Sequence, residues 1–114
     1  MTGVQTCALP IFTAAWQVLD QARRGEGEIR LAARELTWVA QMLELACRIG
    51  LARLEASGNG DLADVGTAAR RALLDRLQPL LDDYPLLWLA RNRPGGLRDS
   101  IGRLRALEKS LSGC

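Results

Sequence analysis

The longest uninterrupted pattern in the chain runs from about Glu28 to Ala56, where no proline intervenes and Gly50 is the only weak helix former. Apolar residues recur there on two adjacent stripes. One comprises Ile29, Ala33, Leu36, Val39/Ala40, Leu43, Ala46/Cys47, Gly50 and Leu54; the other comprises Leu31, Trp38, Met42, Leu45, Ile49 and Ala52. The spacing is that of an α-helix. Two neighbouring stripes predict a helix covered over more than half its circumference, with charged Arg30, Arg34, Glu44, Arg48 and Glu55 left for the remaining surface. Such a helix belongs in the middle of a bundle, or between a bundle and a further domain.

The flanks also read as helices. Phe12 to Arg24 carries Phe12, Trp16 and Leu19 on one face, and Gly25-Glu26-Gly27 breaks it. Downstream, Ser57-Gly58-Asn59-Gly60 is a turn by composition, and Asp61 is placed to cap the helix that follows. That helix is predicted from Leu62 towards Tyr84, with Val65, Ala68/Ala69, Ala72/Leu73, Leu77 and Leu80/Leu81 as its apolar face. Pro79 lies inside the pattern and Pro85 just beyond it. Each removes a backbone donor and crowds the preceding turn, so kinks or short breaks are expected. Pro85 can equally open a fresh helix ending near Arg91. Arg93-Pro94-Gly95-Gly96 turns the chain, and a last helix follows from Leu97 to about Leu111, with Ile101, Leu104 and Leu107/Leu111 inward. The predicted fold is all-α, an antiparallel bundle of about four helices. No internal repeat or low-complexity linker is visible.

Composition narrows the function classes. A chain of 114 residues holds one small domain, and the dominance of Leu, Ala and Arg favours helix. The balance of 15 basic to 13 acidic residues argues against a dedicated nucleic-acid binder. Histidine is absent, which removes the usual general base and the commonest metal ligand. Cys7, Cys47 and Cys114 lack metal-ligand spacing, so a reducing, cytoplasmic compartment is expected, with no metal, cofactor or membrane partner. Cys47 falls on the first apolar stripe and is predicted to be an inert core thiol.

One stretch, Leu86 to Ser100, joins an aromatic anchor, a cationic pair and a Pro-Gly-Gly break. Trp88 could stack on a sugar or a base; flanked by Leu86, Leu87 and Leu89, it reads instead as a core anchor. Arg91 and Arg93 could hold an anion with the Gly95 and Gly96 amides. The favoured alternative has them capping carbonyls at the preceding helix end and bridging to a neighbouring acid. Trp88, Arg91, Arg93, Pro94, Gly95 and Gly96, together with Trp38, are therefore taken as structural anchors. Arg91, Arg93, Arg98, Arg103, Arg105 and Lys109 form a locally cationic cluster, opposed by Asp99 and Glu108. Without interleaved aromatics it reads as a solvated face. Asp82 and Asp83 are adjacent and point in different directions on a helix, which makes a poor acid/base pair. No catalytic residue is assigned.

Residues 1–11 resemble the translation of a short-read sequencing adapter, ACT GGA GTT CAG ACG TGT GCT CTT CCG ATC, which encodes Thr2 to Ile11. The segment carries no charge, and Pro10 interrupts its apolar run, so it lacks the features of a secretory signal. It is treated as a non-native segment, and residues 12–114 as a helical domain truncated on its N-terminal side.

The run Leu87-Trp88-Leu89-Ala90-Arg91-Asn92-Arg93-Pro94-Gly95-Gly96-Leu97-Arg98-Asp99-Ser100, preceded by Leu36-Thr37-Trp38-Val39-Ala40-Gln41-Met42-Leu43-Glu44-Leu45-Ala46-Cys47, resembles the C-terminal helical region of bacterial glycoside hydrolase family 20 β-N-acetylhexosaminidases. The similarity covers most of residues 12–112. Its specific part is the Trp-x-x-Arg-Asn-Arg-Pro-Gly-Gly-Leu-x-x-Ser run, and the surrounding helices are generic. The resemblance implies a parent enzyme with a (β/α)8 barrel, in which an Asp-Glu pair works with the substrate's own acetamido group as nucleophile. No position of this chain matches that pair. The implied role here is a non-catalytic region packed on the parent's own barrel. Two other classes stay open: an intact helical module whose apolar face receives a partner helix, and an Arg-rich nucleic-acid accessory domain.

Overall fold

The computed structural model describes residues 2–56 and 58–113, with side chains from Thr13 onward. They form α1 (Thr2–Arg23), α2 (Gly27–Glu55), a 3-10 turn (Leu62–Asp64), α3 (Thr67–Arg91) and α4 (Leu97–Ser112). No strand occurs among the described residues, and the fold is an all-α helical bundle. Two compact units divide it, one ending at Val39 and the other starting at Ala40, with α2 running through both.

In the first unit, α1 begins at Thr2, upstream of the start expected at Phe12. Extending a formed helix backwards adds one hydrogen bond per residue fixed, at none of the cost of nucleation. Trp16 and Leu19 are half-buried, as is Trp38 on α2; the Cys7 and Phe12 side chains lie outside the described ones. The chain leaves α1 through Arg24 N–H to the Gln21 carbonyl (3.2 Å) and Gly25 N–H to the Ala22 carbonyl (3.0 Å). Gly27 then starts α2 with φ 63°, a conformation that only glycine adopts without strain. Ala33 and Thr37 are buried, and the Thr37 hydroxyl donates to the Ala33 carbonyl at 2.7 Å. That bond satisfies the polar group where it would otherwise be costly.

The second unit is built on an antiparallel α3–α4 hairpin. Leu73, Leu77, Leu80 and Leu81 of α3 are buried together with Leu111 of α4, Val65 ahead of α3 and Leu45 of α2. The predicted face of α3 thus holds at its leucines, while Ala68, Ala69 and Ala72 are exposed. Ile101, Leu104 and Leu107 are half-buried. Gln78 Nε2 donates to Glu108 Oε2 at 2.7 Å and ties α3 to α4 towards the open end of the hairpin.

Three expectations are corrected here. Neither Pro79 nor Pro85 breaks the helix; α3 passes through both as one element to Arg91. An interior proline costs about 3 kcal/mol, and the buried leucines on both sides of Pro79 more than offset it at about 1.5–3 kcal/mol each. Pro79 is exposed, as is Asp75, the residue whose carbonyl loses its donor there. The helix expected from Leu62 begins instead at Thr67, because Val65 turns inward and Gly66 takes an extended ψ of 150°. Asp61 makes no side-chain cap; Asp64 Oδ2 instead accepts the Asn59 N–H at 3.1 Å and holds the loop.

Candidate functional site

Two features stand out in the sequence pattern, the Trp88 turn and the apolar stripes of α2. Trp88 lies in the last turn of α3, half-buried, and its indole N–H donates to the Arg93 carbonyl at 3.0 Å. The Trp88 carbonyl in turn accepts the Asn92 backbone N–H at 2.8 Å and the Asn92 side-chain amide at 3.2 Å. One residue therefore anchors the start of the reversal, at Asn92 and Arg93. Tyr84 lies one turn earlier, its ring centroid 6.1 Å from that of Trp88. Leu97 N–H bonds the Pro94 carbonyl at 3.3 Å, and Ser100 N–H bonds the Gly96 carbonyl at 3.0 Å, which starts α4.

Gly96 explains the second glycine of the motif. Its φ is 87°, and a Cβ there would lie 3.6 Å from Trp88 Cζ2, so conformation rather than space excludes a side chain. Gly95 has open space around it. Arg91 is the exposed last residue of α3, and Arg93 enters the turn through its carbonyl. The helix end is capped by Asn92, which sequence reasoning passed over although asparagine is a common residue at helix ends. Trp88 is a hinge pin for the turn and is less enclosed than the core anchor expected of it.

Among the described residues of the second unit, the carboxylates are taken up singly. Glu44 pairs with Arg48 (2.9 Å) and Arg76 (3.5 Å), and Glu108 with Gln78 and Arg105 (3.5 Å). Asp64 is taken up by the loop, and Asp75, Asp82 and Asp83 are exposed. Among the described residues no group of three His, Cys, Asp or Glu side chains could hold a metal ion. A groove at the open end of the hairpin is lined by Arg53, Asp61, Arg70 and Ser110. Arg53 Nε donates to the Gly60 carbonyl there, and Asp61 offsets the two cations. No helix among the described residues is long and apolar enough to cross a membrane.

The faces of α2 differ sharply. Of the second stripe, Leu45 is 1% exposed, and Leu31, Trp38, Met42, Ile49 and Ala52 are half-buried. Of the first, only Ala33 is buried. Ile29, Leu36 and Val39 in the first unit are exposed, as are Leu43 (63%) and Leu54 (84%) in the second, with Leu51 beside them. This overturns the expectation of a helix covered over more than half its circumference. Cys47 is likewise a free, exposed cysteine instead of a core thiol. The physical reason is common to both. Periodicity marks the side chains whose burial would be favourable, and within each unit the described residues leave these side chains exposed.

No protein-family model, curated protein or solved structure matches this chain. The site is therefore read from its own geometry, in which the exposed apolar residues of α2 stand out.

Proposed function

We propose that this chain is a non-catalytic helical accessory region that seats the exposed stripe of α2 on a larger protein. The docking reading is carried by one observation: large aliphatic residues at helical spacing, including Leu43 and Leu54, stand open to solvent on α2. Scattered surface leucines need no explanation, whereas an aligned set marks an interaction surface. The resemblance of the Trp88–Ser100 run supports a particular seat, the catalytic barrel of a family 20 glycoside hydrolase acting on terminal N-acetylhexosamine. The barrel supplies the chemistry in this reading, and the helices supply cover and rigidity.

Glycoside cleavage needs one carboxylic acid to protonate the leaving oxygen and a second group to orient the acetamido nucleophile, both converging in a desolvated cleft. The purified chain should therefore release no chromophore from an aryl N-acetyl-β-glucosaminide at any pH. Turnover that disappears on mutating one of its own carboxylates would overturn the non-catalytic reading. The docking half is tested in trans, with a family 20 barrel deprived of its own C-terminal helices. The chain should raise that barrel's melting temperature, and the Leu43→Glu/Leu54→Glu variant should not. No shift with either chain would remove the barrel as the seat.

A second reading is favoured by the core of the α3–α4 hairpin, where Leu77 and Leu81 are fully enclosed. A stand-alone helical interaction module would own such a core and receive a partner helix on α2. Cooperative melting of the isolated chain, joined to failure of the barrel experiment, would select this reading.

A further inference from the structure

We draw no further inference here: the strongest candidate, the Leu43–Leu54 face of α2 as a specific seat for a second copy of this chain, belongs to the docking face already described, and nothing in the structure shows what covers it.

Discussion

Leu43 and Leu45 sit two positions apart on α2, carry the same side chain and belong to equally regular stripes, yet one is 63% exposed and the other 1%. Residues two positions apart on a helix point about 200° apart, so the two leucines sample opposite surroundings. Leu45 faces the groove side of the second unit, where Gln41, Glu44, Arg76, Pro79 and Leu80 also gather. Leu43 faces outward. An apolar stripe is a statement about free energy available from burial, and the chain itself realises that energy on only one of the two sides. The exposed side is the one on which the proposed docking would act.

The sharpest way to break this comparison is truncation at each leucine. Leu45→Ala should destabilise the isolated chain by about 2–5 kcal/mol, as for other buried leucines, whereas Leu43→Ala should stay within about 0.5 kcal/mol. Urea midpoints at unchanged slope would report both. Equal shifts would mean that the two faces are not distinct in solution.

Trp88 comes next. Because its ring is half-buried, Trp88→Ala should cost about 2 kcal/mol, short of the roughly 3–5 kcal/mol of a fully enclosed tryptophan. Exposed Arg105→Ala should cost no more than about 0.5 kcal/mol. A loss as small for Trp88 as for Arg105 would show that the indole bond to the Arg93 carbonyl does not hold the turn.

Gly96→Ala isolates backbone strain in the same turn. With φ at 87°, the added Cβ should cost about 1–2 kcal/mol, and Gly95→Ala much less, because nothing crowds Gly95 and its φ is ordinary. Thermal melts of the pair would read the difference; equal midpoints would remove the conformational role of Gly96.

The smallest expected effect distinguishes two aspartates. Asp64→Ala, which strips the Asn59 N–H of its acceptor, should cost about 1 kcal/mol. Asp61→Ala, which removes no cap, should leave stability within about 0.5 kcal/mol. The reverse order in denaturant titrations would restore Asp61 as the cap.

What was legible in the sequence follows from the range of each interaction. Helix periodicity is local, so α2, the apolar face of α3 and the inward side of α4 could be read directly. The break at Arg93–Gly96 was visible because proline and glycine restrict or free the backbone at their own positions. The continuity of α3 through Pro79 was not visible, since it depends on leucines packed against a helix that comes later in the chain. The Gln78–Glu108 bond joins residues thirty positions apart and leaves no local mark. The exchange of Asp61 for Asp64 turns on Val65 facing inward, a tertiary choice. At the candidate site, the stripe containing Leu43 and Cys47 was found, and its exposure was not. Hydrophobic pattern names a face without naming what lies against it.

The central claim, that the open stripe of α2 exists to be covered, is tested most directly by sedimentation equilibrium of the purified chain over a range of concentrations. If the stripe is a docking face, the isolated chain should show weak, concentration-dependent self-association. Leu43→Glu/Leu54→Glu should abolish it while leaving the melting temperature unchanged. A chain that stays monomeric throughout, or associates equally well with both glutamates in place, would contradict a docking role for α2.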